Sequence, residues 1–234
     1  MMNDRLVVYT AIIGRYDTLK APLVVDPDVR YVCITDEPLP DVPPWTQRVV
    51  KGKHGSPRRH ARLYKIMAHA CFALAEYSLY IDGRIQLKIY PIEALGWLKE
   101  HDMAICQHPT DDCLYAEGHK VFDWRLDDRE VVNRQMLRYK AEGYPKRNGL
   151  GTTAVILRRH TEAVQRFNNY WWIEVGNHSI RDQLSFDYVC WTLGMGYDVI
   201  PGNVFSNPWF HYLPHDGETA WRREESDRRN RETQ

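Results

Sequence analysis

The chain has no apolar run approaching the roughly 18 residues that span a bilayer, no surplus of charge of either sign, and no C-x-x-C pair. Each absence removes a class of function. The opening residues MMNDRLVVYT lack the basic start and apolar core of a signal peptide, so the expectation is a soluble, cytoplasmic protein with no membrane span. Lysine plus arginine total 31 and aspartate plus glutamate total 31, so no global field draws the protein onto nucleic acid. Any anion it binds must be met by a local cluster of cations. The five cysteines, Cys33, Cys71, Cys106, Cys113 and Cys190, are odd in number and scattered through mostly apolar segments, which predicts free thiols rather than a disulfide framework. The P-loop and dinucleotide fingerprints, GxxxxGK[ST] and GxGxxG, do not occur at a strand-to-helix turn, so a bound nucleotide would have to be held in another way.

What is present is an alternation of strand and helix signals. β-branched or apolar runs at 6–13, 31–35, 47–50, 77–81, 103–106, 152–157 and 197–200 stop at Gly, Asp, Pro or polar residues, as strands do. Between them lie helical patterns. Ser56 followed by Pro57 opens a helix expected to reach about Leu74. Others are expected over 91–100, 127–142, 162–175 and 179–193. This order predicts a single α/β domain over 1–216 with a mixed, mostly parallel sheet carrying helices on both faces, followed by a charged, disordered tail at 217–234. With 8 Trp and 14 Tyr, most rings should fill the core, leaving a few to stack on a sugar.

In such a sheet ligands bind where strands end. The stretch SLYIDGRIQL delivers Asp82 to that edge, with Gly83 permitting close approach and Arg84 beside it. A plain Asp-Gly turn explains the same residues. The preceding helix carries Arg58, Arg62 and Lys65 on one face, with Arg59 beside them, in first turns where the helix dipole prefers anions. Either a bound diphosphate or nearby acids must compensate them. Tyr9, Thr10, Gly14 and Asp17 at the first strand end, and Asp36 after the second, are candidates for holding a nucleoside, although strand propensity alone accounts for Tyr9 and Thr10.

Taken in order, VVYTAIIGRYD, YVCITD, RRHARLYKIMAH, YIDGRIQL, HPTDDCLYAE, NGLGTTAVILRRH and RDQLSFDYV resemble the glycosyltransferase-like domain family that includes plant Golgi proteins linked to mucilage polysaccharide and turgor regulation. The resemblance covers about residues 6 to 213. It implies a type A glycosyltransferase-like fold, a Rossmann-like mixed sheet, and transfer of a sugar from a nucleoside-diphosphate donor to a hydroxyl of a glycan-type acceptor. It also implies an acidic strand-end motif, in its usual form Asp-x-Asp holding Mn²⁺ or Mg²⁺. Here Asp82-Gly83-Arg84 keeps one acid and puts a cation where the second would stand. Metal-independent transfer, with Arg84 and the helix cations meeting the leaving diphosphate, is therefore as open as a metal held by Asp82 with His108, His211 or His215.

On the same resemblance Asp182 in SIRDQLSF is a candidate general base and Gln183 a sugar ligand, yet Ser179 to Asp182 also fits a capping box. His108, Asp112 and Glu117 in HPTDDCLYAEGH, with Asp111 and His119 in the same loop, are candidates for contacting sugar or acceptor, as are Gly149 and Gly151. The loop also admits a hydrolase reading, and a non-catalytic nucleotide- or sugar-binding module is a third.

Overall fold

The computed structural model describes residues 5–52 and 55–214. His215 and the expected tail at 217–234 lie outside the described residues. The elements in chain order are β1 (Leu6–Ile12), β2 (Arg30–Thr35), β3 (Thr46–Val49), α1 (Pro57–Ile66), α2 (Ala68–Cys71), β4 (Tyr77–Ile81), β5 (Ile85–Leu87), a 3-10 helix (Pro91–Trp97) and β6 (Met103–Gln107). There follow α3 (Leu114–Asp123), α4 (Arg129–Ala141), β7 (Gly151–Arg159), α5 (Glu162–Asn177), α6 (Gln183–Leu193), β8 (Asp198–Ile200) and β9 (Phe210–Tyr212).

Seven strands form one mixed, mostly parallel sheet in the order β3-β2-β1-β4-β7-β6-β8. Only β7 runs against its neighbours in that sheet, pairing antiparallel with β4 and β6. The carboxyl ends of β1 and β4 and the amino end of β7 therefore meet on one edge. Strands β5 and β9 form a separate antiparallel pair.

The central strands are apolar on both faces because both are covered. Val7 and Tyr9 of β1 join one core cluster with residues of all six α-helices, whereas Leu6, Val8 and Ile12 join a second. That second cluster is closed by Leu19, Trp45, the 3-10 helix and the β5–β9 pair. The cover is thus uneven, with α-helices on one face and short or irregular chain on the other. All five cysteines are free thiols.

Helices α1 and α6 are shorter than their expected extents. Ser56 caps α1 by accepting from the Arg59 N–H at 3.3 Å, with Pro57 in the first turn. The helix stops at Met67 instead of reaching Leu74. The buried Arg158 guanidinium donates to the carbonyls of Lys65 (2.7 Å) and Ile66 (3.0 Å), and the Tyr9 hydroxyl also donates to Lys65 (2.7 Å). These are carbonyls that a continuing helix would need for its own amides. At α6 the capping box does not form: the first helical residue is Gln183, and Ser179 Oγ donates instead to Asp127 Oδ2. The segment 91–97 is a 3-10 turn rather than an α-helix, and α3 occupies part of what read as loop.

Candidate active site

A cavity of about 580 Å³ opens where β1 and β4 end and β7 begins, walled by the first turns of α1 and the start of α6. Of the sequence candidates, Gly14, Asp17, Arg58, Arg62 and Lys65 line it from the β1 and α1 side. Asp82, Gly83 and Arg84 line it from the end of β4, and Asp182 and Gln183 from the start of α6. The sequence brought these together because strand-end and helix-start signals converge on one edge of the sheet.

At its base is a buried charge lock. Lys65 Nζ, 1% exposed at its side chain, lies 2.7 Å from Asp182 Oδ2 and 3.4 Å from Asp82 Oδ1. Thr153 Oγ1 accepts from Lys65 (3.2 Å) and donates to Asp182 (2.8 Å). Arg62 Nε sits 2.7 Å from Asp182 Oδ1, an ion pair whose N–H is poorly aligned for a hydrogen bond. Burial works to raise the Asp182 pKa, but Arg62, Lys65 and the Thr153 hydroxyl overcome it and hold the carboxyl well below the usual carboxylate range. Asp82 accepts from the Tyr80 hydroxyl at 2.8 Å, on the same Oδ1 that faces Lys65. Of the two ways of compensating the α1 cations, nearby acids serve Arg62 and Lys65.

The other α1 cations are spent elsewhere. Arg59 donates to the carbonyls of Val175, Gly176 and His178 at the end of α5, where a cation suits the dipole. Arg58 lies over the Tyr16 ring at 5.6 Å and donates to the Leu126 carbonyl. Arg84 stacks on Tyr212 at 4.0 Å and donates to the Leu213 carbonyl at 2.6 Å. It thereby ties the β5–β9 pair to the mouth of the cavity.

Gly83 has a steric reason to be glycine: a Cβ there would stand 2.9 Å from Asp17 Cβ and 3.2 Å from Ile12. Gly14 adopts φ +69° and donates its N–H to Asp36 Oδ1 at 2.9 Å. Asp36 itself lines a neighbouring cavity of about 530 Å³ that shares Ile13 and Pro57 with the first.

Several candidates lie elsewhere. Tyr9 and Thr10 do not line the cavity: both are buried, and the Tyr9 ring packs under α1 against Phe72 and Tyr80. Gly151 is held close to the Ile105 side chain, 2.1 Å from where a Cβ would be, and donates its N–H to Asp187 at 2.9 Å. It does not line the cavity. Gly149 adopts φ +83° in the turn before β7, outside the cavity wall. His211 sits on β9 opposite Gln86, exposed and outside the cavity.

Among the described residues, the group able to offer three metal-ligand atoms is His108, Asp111 and Glu117, and neither Asp82 nor His211 belongs to it. Within it, His108 Nε2 lies 3.9 Å from Glu117 Oε2. Lys120 pairs with Asp111, and His108 Nδ1 accepts from the Asp111 N–H at 3.0 Å. Burial lowers the His108 pKa from its ordinary value, with Glu117 and Asp111 opposing. Asp112 is exposed at the edge of this group.

One charged cavity residue escaped the sequence reading, as did the uncharged Tyr80, Thr152, Thr153 and Tyr212. Arg181 enters the wall between Ile180 and Asp182, and the only signal was its place beside Asp182. Thr152 Oγ1 and Gln183 Nε2, both on the wall, are buried with no hydrogen-bond partner among the described residues. The side chains lining the cavity include five cations, Arg58, Arg62, Lys65, Arg84 and Arg181, against three acids, Asp17, Asp82 and Asp182. No helix among the described residues is long and apolar enough to cross a membrane.

Two curated proteins of Arabidopsis thaliana are similar. A probable hexosyltransferase, MUCI70, is 27% identical over 230 residues, covering 82% of this chain and 40% of that protein. Alkaline ceramidase TOD1 is 29% identical over 146 residues, covering 57% of this chain and 32% of its own length. The chain thus spans less than half the length of either relative. With the TOD1/MUCI70 glycosyltransferase-like domain matching residues 44–212, across α1, β4, β7 and the start of α6, the chain belongs to that family.

Proposed function

We propose that the chain transfers a sugar from a nucleoside-diphosphate donor to a hydroxyl of a glycan-type acceptor. The observation that carries this is the charge of the cavity wall: five cations against three acids leave two positive charges, the complement of a diphosphate esterified at both ends. The wall thus offers fixed cations for the leaving diphosphate, the task a divalent ion performs in other enzymes of this chemistry. A divalent ion suits this wall poorly, because the strand-end motif supplies one carboxylate, engaged by Tyr80 and Lys65, and an arginine follows it.

In this reading the acceptor oxygen attacks the anomeric carbon, the bond from that carbon to the phosphate oxygen breaks, and the acceptor proton goes to a carboxylate. Asp182 is a poor base, since its two oxygens are committed to Arg62, Lys65 and Thr153 and its pKa is held low. It organises the cations. Asp82, with one oxygen turned from Tyr80 and Lys65, takes the proton. The nucleoside extends toward Asp36 in the neighbouring cavity, and the acceptor enters from the side of His108, Asp112 and Glu117.

The test is release of nucleoside diphosphate from UDP-, GDP-, CDP- and ADP-sugars, each with a panel of oligosaccharide acceptors and with Mn²⁺ or EDTA. Turnover with one donor class, cut at least about 100-fold in Asp82→Asn, is the expected result. Absence of turnover with every donor and acceptor, in both metal conditions, sinks the reading. A hydrolase centred on His108, Asp111 and Glu117 is favoured by that grouping and by the name of the ceramidase relative. Zinc retained at one equivalent through purification, and lost in His108→Ala, would move the assignment there.

A further inference from the structure

Arg181 differs from the other cations of the wall. Arg62 and Lys65 are paired with Asp182, Arg84 is stacked on Tyr212, and Arg58 lies over Tyr16. The Arg181 guanidinium has no hydrogen bond or ion pair with any described residue, and the charges that act on it are Asp182 and Glu117, opposed by Arg62 and Arg58. Asp182 is already shared between two other cations, so it cannot also neutralise this one. The next residue but one, Gln183, presents a buried amide nitrogen that also lacks an acceptor. Two donors without acceptors therefore flank Asp182 on the wall of a cavity whose fixed charge is positive.

We propose that Arg181, with the Gln183 amide beside it, is the residue that grips the diphosphate of the donor, and that it does so without a metal ion. The planar fork of a guanidinium matches two phosphate oxygens at once, which an ammonium cannot do. The Asp182–Lys65–Arg62 lock is preformed and holds the α6 start in place, so that Arg181 is presented to the cavity before any ligand arrives. Burial, and the repulsion of Arg62 and Arg58, lower the Arg181 pKa from its ordinary value. An anion arriving between these guanidiniums relieves that repulsion. The identity of the ligand rests on the glycosyl-transfer reading, but the anion site itself does not.

The experiment is calorimetric titration of the whole chain with inorganic pyrophosphate, and separately with UDP and GDP, all in EDTA. Arg181→Gln is expected to weaken pyrophosphate binding about 10–100-fold, the range for a charge-assisted hydrogen-bonded pair. Arg129→Gln on α4 should leave it unchanged. Should Arg181→Gln lose its near-ultraviolet circular dichroism, Arg181→Lys keeps the charge without the fork and is expected to lose at least about 5-fold. Equal binding by the wild type and either folded Arg181 variant overturns the proposal, as does wild-type binding that requires Mn²⁺. Turnover of a sugar nucleotide that ignores Arg181 sinks this proposal and leaves the function standing. Pyrophosphate binding that depends on Arg181, with no sugar nucleotide turned over, does the reverse.

Discussion

The ammonium of Lys65 stands 2.7 Å from Oδ2 of Asp182, and neither side chain is more than 5% exposed. A pair so placed has given up its water, and each charge depends on the other. Replacing both by apolar groups is far cheaper than removing one.

Lys65→Met is accordingly expected to destabilise the fold by about 3 kcal/mol, because it strands the Asp182 carboxylate with Arg62 as its remaining counter-charge. Urea unfolding measures it, and the double variant Lys65→Met with Asp182→Leu should recover a large part of the loss. A single variant within about 0.5 kcal/mol of wild type would show that the lock is not what holds α1 to α6.

Asp187 gives a pH dependence of known sign. It accepts from the Gly151 N–H and the Tyr197 hydroxyl, and burial, which outweighs both, pushes its pKa up to about 6. In the unfolded chain the same carboxyl titrates near about 3.9. Between those values the folded state holds the extra proton, so this group costs stability as pH rises from about 4 through 6 and no more above 7. Asp187→Asn cannot ionise. Its stability relative to wild type should therefore improve by about 2–3 kcal/mol between pH 4 and pH 7, read from urea midpoints across that range. A pH-independent difference would place the titration elsewhere.

Gly83→Ala tests how tightly β4 and the Asp17 loop meet. The added methyl must displace Asp17, whose Cβ would be 2.9 Å away. Overpacking of this kind costs about 1–3 kcal/mol. Because Asp17 and Gly83 both line the cavity, donor affinity should fall about 10-fold while the melting temperature falls only a few degrees. Unchanged affinity would remove Asp17 from the donor site.

Much of this was legible in the chain because it is local. The run Tyr77–Ile81 announces β4 by its β-branched and aromatic residues, Ser56-Pro57 announces the start of α1, and the helical pattern from Glu162 announces α5, which Thr161 proves to cap through the Val164 N–H. What was not legible is set from far away. The break of α1 at Met67 is made by Arg158, 92 residues beyond Ile66. In place of a capping box at Ser179, the serine hydroxyl accepts from the Arg181 N–H and donates to Asp127, 52 residues before it. The partners β5 and β9 are three residues each, too short to declare themselves, and they mean something only once paired. The cationic face of α1 was visible, but not its division: Arg62 and Lys65 serve the lock, and Arg59 serves the end of α5. Arg181 was marked only by its place beside Asp182; the third dimension shows that its guanidinium makes no ion pair with any described residue.

The reversed strand β7 also sets the order in which the protein can be finished. It lies between β4 and β6, both of which leave the ribosome earlier, so its place in the sheet must stay vacant until Gly151–Arg159 has been made. Until then both neighbours present raw edges, the kind on which chains add to one another. The residues that make the cavity wait as well, since the amide of Asp82 donates to Ala154 and the Lys65 ammonium to Thr153. A fragment ending before Gly151 would leave β4 open on one side and β6, whose partners β7 and β8 both come later, open on two, with no site, which makes late closure of the sheet the step that chaperones would have to guard.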